Sequence, residues 1–283
     1  MRRVFDSFTF NDEIDLLEAR LTELDSAVYR HVLIEAPLTF QGNPKPLHYL
    51  ENQDRFTPWK DKIIHVTADL DPDAGHWARE QASRDAVRQG LGELRDDDIF
   101  LLSDVDEFPR AAVIQEAPGT IMMMRQHVLA VNLMESGWWA GTMAALGSDY
   151  RHAVKWFLAR QRGANRPVLM NTAGFPVSAG WHFSWLGGAE GMRSKVHSSV
   201  PADLPHAGVI DVHAEHLYRE RISPLGGDRL LEVVIDDSFP GYMRDRKGPA
   251  SWYWRPDGDC QDLRRCCREG HHHHPRRLPG PVA

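Results

Sequence analysis

The sequence predicts an α/β fold with a mixed, mostly parallel sheet flanked by helices. Three observations carry that reading. Short apolar runs, too brief for helices, recur through the first hundred residues. Amphipathic stretches with helical spacing lie between them, and such alternation implies parallel strands joined by crossover helices. Acidic residues stand where several of the runs end, and in open sheets of this kind ligands bind beyond the carboxyl ends of the strands.

Residues 3–10 read as the first strand, running into a polar turn at Asn11 and Asp12. In EIDLLEARLTEL, Ile14, Leu17, Leu21 and Leu24 fall on one helical face, with charges between them. Asn11 or Asp12 is the expected N-cap. YRHVLIE (29–35) and KIIHVT (62–67) are predicted strands, 78–94 is a helix ending near Gly90 or Gly92, and DIFLLS (98–103) is a fourth strand. Then come a Met-rich strand (TIMMMRQHVLAVNLM), a Gly/Trp segment (GWWAGTM), a basic stretch (RHAVKWFLARQR) and AGWHFSWLGGAEGMRSKVHS. Neither repeat nor linker divides the body, so residues 1–255 are expected to form one domain. Residues 256–283 lack apolar periodicity and are expected to be a disordered tail. The tail's His271–His274 run, near Cys266 and Cys267, matches no structural zinc spacing.

Composition narrows the function classes. Of 283 residues, 42% are hydrophobic and 26% charged, which excludes disordered and collagen-like chains. Forty acids against 33 bases give a net charge of -7, the wrong sign for displacing counterions from nucleic acid. All three cysteines (Cys260, Cys266, Cys267) lie at the C-terminal end, so the body has no disulfide framework. MRRVFDSFTF lacks an apolar leader, and no apolar run approaches the roughly 20 residues that span a bilayer. A cytoplasmic protein without a transmembrane segment is expected. Its oligomeric state is not legible.

The strongest chemical signal is DVDE (104–107) at the end of the fourth strand. Two carboxylates one residue apart, where the chain leaves a sheet, can turn together toward a hard cation. That cation would neutralise charge on a leaving phosphate. The plainer reading is an acidic turn capping a helix that starts at Pro109. Asp6, Glu35 and Asp69 follow the other strands, and Lys45 lies in the loop after Glu35. The acids can accept hydrogen bonds from a base or ribose, and Lys45 can reach a phosphate; acids there also serve as helix caps. His182, in GWHFSW, is the candidate third metal ligand, otherwise a packed core histidine. Lys195 can balance diphosphate charge or be solvated. Of Trp138, Trp139, Trp181 and Trp185, one or two are expected to stack on sugar rings and the rest to be core.

A helix bearing Arg84, ahead of an apolar strand ending in DxD, resembles nucleotide-sugar glycosyltransferases of the GT-A (Rossmann-like) fold; Asp85 stands where Asn is usual there. Four ordered blocks sharpen the likeness: FDSFTFNDEIDLLEARLTEL, VLIEAPLTFQGNPKPLHYLENQDRF, LLSDVDEFP and GWHFSWLGGAEGMRSK. Together they resemble glycosyltransferase family 17, as in a bacterial member. The resemblance implies inverting transfer of N-acetylglucosamine from UDP-GlcNAc, in β-1,4 linkage, to a glycan acceptor. It also implies a divalent metal, Mn²⁺ or Mg²⁺, on Asp104 and Asp106. In this reading Arg84 faces the nucleotide or diphosphate, and Glu190, at a helix start, is the general base by analogy. Two alternatives stand beside it. One is a catalytically silent glycan- or nucleotide-sugar-binding protein of the same fold. The other is a haloacid-dehalogenase-type phosphatase, whose motif needs Thr or Val where this chain has Phe108.

Overall fold

The computed structural model describes residues 1–152, 167–173, 176–198 and 207–255. Most of the basic stretch, and the whole Cys/His tail, lie outside the described residues. The chain begins β1 (Val4–Thr9), α1 (Ile14–Leu24), β2 (Arg30–Glu35), the short α2 (His48–Glu51), β3 (Ile63–Thr67), α3 (His76–Asp85) and β4 (Ile99–Asp104). It continues with β5 (Glu107–Pro109), β6 (Ile121–Val128), β7 (Leu133–Leu146), α4 (Gly147–His152), β8 (Gly180–Ser184), α5 (Gly188–Ser198), α6 (Ala207–Glu220), β9 (Leu231–Glu232) and α7 (Gly241–Arg244).

The expected α/β architecture is present. Among the described residues, nine strands form one mixed sheet in the order β3-β2-β1-β4-β7-β6-β8-β5, with β9 paired to β7. Its first four positions are parallel, as is β6 with β8. β7 pairs antiparallel with both β4 and β6, and β5 with β8. Successive side chains of a strand point to opposite faces, and β1 shows the consequence. Phe5 packs with Val32, Val66, Phe100 and Val87 on one face. Phe8 packs with Leu17, Leu21 and Phe56, under α1, on the other. Burying each such leucine or phenylalanine contributes about 1.5–3 kcal/mol.

Three local expectations need correction. Neither Asn11 nor Asp12 caps α1: Glu13 occupies the cap position without capping the helix by its side chain. Its carboxylate instead accepts the backbone N–H groups of Asn11 (3.1 Å) and Asp12 (3.2 Å). The helix foreseen over 78–94 begins at His76 and ends as α-helix at Asp85, continuing as a 3-10 segment, Ala86–Gly90. DVDE caps no helix, because its last residue opens β5. Among the described residues, no helix is long and apolar enough to cross a membrane.

Candidate active site

β1 and β4 run parallel with Thr9 opposite Asp104, so both strands end at the same level. There a cavity of about 270 Å³ opens, with Asp104 and Asp106 both on its wall. Asp104 Oδ1 accepts hydrogen bonds from Thr9 Oγ1 (3.1 Å) and Arg84 Nη1 (2.7 Å). Asp106 Oδ2 accepts one from Lys195 Nζ at 2.9 Å and lies 3.5 Å from His182 Nε2. Asp106 Oδ1 is buried without a hydrogen-bond partner.

These pairings set the local charge states. Burial pushes the Asp106 carboxyl up, but the Lys195 and His182 charges outweigh it and hold it well below the usual range. Burial lowers the Lys195 ammonium, yet Asp106 and Glu13 raise it on balance. Burial likewise works against charged Arg84, and Asp104 and Glu80 reverse that. Each acid of the DVD loop therefore faces a fixed cation.

The loop itself is held from behind by Arg20. This residue lies on α1 and is fully buried; its Nε and Nη2 donate to the two oxygens of Asp6, at 2.9 and 2.5 Å. Its Nη1 donates to the backbone carbonyls of Asp104 (3.2 Å), Val105 (3.5 Å) and Glu107. Glu107 adds a second brace. Its Oε2 accepts the Asp104 N–H at 3.2 Å and its Oε1 accepts the Trp139 indole N–H at 2.7 Å. The Trp139 ring stacks on His182 at 4.4 Å. Arg20 was overlooked in the sequence although a signal was present: a charged residue three positions from Leu17, on the helix's apolar stripe.

The fold gathers some of the predicted residues and disperses others. Arg84, Lys45, His182 and Lys195 line the cavity with the two aspartates. Asp6 does not follow β1 but lies inside it at zero exposure, and its carboxylate is consumed by Arg20 and His31. Glu35, the last residue of β2, is also fully buried. It accepts the Tyr49 N–H (3.1 Å), meets His65 at 3.2 Å and lies 3.6 Å from Lys45. Neither acid lines the cavity, because each neutralises buried neighbours. Lys45 Nζ donates to the Asn11 carbonyl at 3.2 Å. Asp69 is exposed.

His182 pairs with Asp106 rather than completing a three-ligand set. Among the described residues, no group of three His, Cys, Asp or Glu is placed to hold a metal. Glu190 does stand in the first turn of α5, as expected. Its side chain is 87% exposed and pairs with Arg193, and it lines neither the cavity at Asp104 and Asp106 nor the one beside it. Of the four tryptophans, Trp139 and Trp185 line the cavity. Trp181 is buried beneath the Arg110 guanidinium, and Trp138 is exposed under Arg125.

The turn from β8 into α5 aims Lys195 at Asp106. Trp185, Gly187 and Gly188 all have left-handed backbones, with φ of 61°, 102° and 69°. Glycine adopts such angles freely, whereas for Trp185 the conformation is strained. Glu13, another residue that the sequence reading passed over, lies on the same wall. Burial, Asp12 and Asp106 raise its carboxyl, with Lys195 opposing.

Residues 1–140 match the family model described as glycosyltransferase family 17. That span carries the whole β1–β4 platform, Arg84 and the DVD loop. The chain is 24% identical over 261 residues to the Rattus norvegicus beta-1,4-mannosyl-glycoprotein 4-beta-N-acetylglucosaminyltransferase, covering 80% of this chain and 48% of that protein. It is 26% identical over 242 residues to the Homo sapiens protein of that name, covering 73% and 45%. The chain spans about half the length of the curated relatives it matches. An active-site mutant of LgtC superposes with a TM-score of 0.31 at 13% identity, covering 58% of this chain and 65% of that one. That likeness is too loose to support an argument.

Proposed function

We propose that this chain is an inverting glycosyltransferase. It would move a sugar, N-acetylglucosamine in our reading, from a UDP-linked donor to a hydroxyl of a glycan acceptor, in β-1,4 linkage. One observation carries the proposal: Asp104 and Asp106 leave the sheet on one short loop, face one cavity, and have Arg84 and Lys195 beside them. Two fixed cations at a strand-end cavity suit a diphosphate. The donor sugar and the linkage follow the names of the curated relatives that the chain matches.

A divalent metal, Mn²⁺ or Mg²⁺, fits this wall. Glu13, Glu80, Asp104 and Asp106 are four carboxylates against the three cations Lys45, Arg84 and Lys195. The wall thus carries one more carboxylate than cations, an excess that a further cation offsets where a diphosphate binds beside Arg84 and Lys195. Asp106 Oδ1, buried and unpartnered, is an acceptor available to such an ion. Asp104 and Asp106 would hold the metal, which supplies charge neutralisation for the departing diphosphate. Around it, Arg84 and Lys195 orient phosphate oxygens, and Trp139 and Trp185 offer apolar faces to sugar rings. Arg20 and Glu107 keep the loop in place.

The test is UDP release from UDP-GlcNAc with and without Mn²⁺. Asp106→Ala should lose turnover by at least about 100-fold while remaining folded by circular dichroism, because it removes a charge stabiliser from a cavity wall. Wild-type turnover in Asp106→Ala, together with indifference to EDTA, would overturn the assignment. A silent binder would take up UDP-GlcNAc and release no UDP.

A further inference from the structure

A second cavity, of about 220 Å³, lies beside the first. The two share Glu13, Asp106, Trp185, Lys195 and Ser198, so these residues form the partition between them. Asp12, Asp15, Ser194 and Trp252 line the second cavity and not the first. Carboxylates and hydroxyls beside indole faces are the chemistry that recognises a carbohydrate, which presents hydroxyls at its edge and C–H groups on its faces. Arg84, Glu80 and Lys45 line only the first cavity. Arg84 and Lys45 therefore belong to the first cavity, Lys195 stands in the partition, and Asp12, Asp15, Ser194 and Trp252 belong to the second.

Glu13 stands in the partition with one oxygen tied and one not. Oε2 accepts the Asn11 and Asp12 N–H groups, which fixes the carboxylate's direction. Oε1 makes no hydrogen bond among the described residues, and a carboxylate so held is preorganised to accept a proton. Resting on the glycosyltransfer reading above, we infer that Glu13 is the catalytic base, taking the proton from an acceptor sugar hydroxyl that arrives through the second cavity. The acceptor oxygen forms its bond to the anomeric carbon as the carbon–oxygen bond to the diphosphate breaks. UDP leaves with that electron pair, and the hydroxyl proton passes to Glu13.

The experiment uses the whole chain, UDP-GlcNAc and water as acceptor, with UDP release and UDP-GlcNAc affinity measured separately. Glu13→Ala and Glu13→Gln should each lower UDP release at least about 100-fold while donor affinity changes less than about 3-fold, since the base acts on the acceptor. Sodium azide needs no deprotonation to attack carbon. It should therefore restore UDP release to Glu13→Ala and yield a glycosyl azide. Wild-type release by both variants, a fall in donor affinity that matches the fall in rate, or no response of Glu13→Ala to azide would each overturn the assignment. Failure of the glycosyltransfer reading looks different: the unmodified chain would then release no UDP at all.

Discussion

Replacing Arg20 by Met tests whether the buried Arg20–Asp6 pair supports the DVD loop. Both side chains have zero exposure, and the guanidinium makes two bonds to Asp6 and three to loop carbonyls. It also lies 4.6 Å over the Phe8 ring, a packing role that Met's aliphatic chain largely preserves. What Met removes is therefore mainly polar. Removing one partner of a buried ion pair costs about 3–5 kcal/mol, and orphaned carbonyls add about 1 kcal/mol where water does not reach them. A loss of about 4–6 kcal/mol is expected, a large share of the roughly 5–15 kcal/mol that holds a domain together. Asp6→Leu on the Met background deletes the stranded charge and should recover at least about 2 kcal/mol. Urea unfolding at neutral pH measures both steps. The reasoning fails if Arg20→Met costs under about 1 kcal/mol, or if adding Asp6→Leu deepens the loss.

The same pair makes the fold acid-sensitive. Burial pushes Asp6 up, but the Arg20 charge and the His31 and Arg20 hydrogen bonds hold it at about 2, against an ordinary value of 3.8. A depressed carboxyl contributes stability above its unfolded pKa and loses it as pH falls through the folded one. Asp6 should thus contribute about 2.5 kcal/mol at neutral pH, lost between about pH 4 and pH 2. Urea midpoints across that window should fall further for the wild type than for Arg20→Met/Asp6→Leu; equal falls would contradict the assignment. Gly180→Ala would place a Cβ 2.3 Å from the Phe108 carbonyl oxygen, where β8 meets β5. Overpacking of this kind costs about 1–3 kcal/mol and should lower Tm, whereas an unchanged Tm would contradict the β5–β8 pairing.

Much of the parallel half was legible because its signals are local. The apolar runs of β1, β2, β3 and β4 are each at most six residues long, and α1 shows its stripe within eleven. DVD could be placed at a strand end because a strand's limits show in a few consecutive residues. Position beyond a strand was a weaker guide. Asp6 and Glu35 carry the same carboxylate as Asp104, yet they are buried against Arg20 and Lys45.

The sequence by itself determined the element types of the first half, the acidic loop and the family blocks, since each depends on neighbouring residues and the periods of strand and helix. Only the tertiary structure decided which acid meets which base. Lys195 reaches Asp106 across 89 positions, and Arg20 reaches the Glu107 carbonyl across 87. It also turned Glu190 outward and set Glu13 between two cavities. Those outcomes follow from how β1, β4, β8, α1 and α5 pack, and a charge finds its partner through that packing rather than through spacing along the chain.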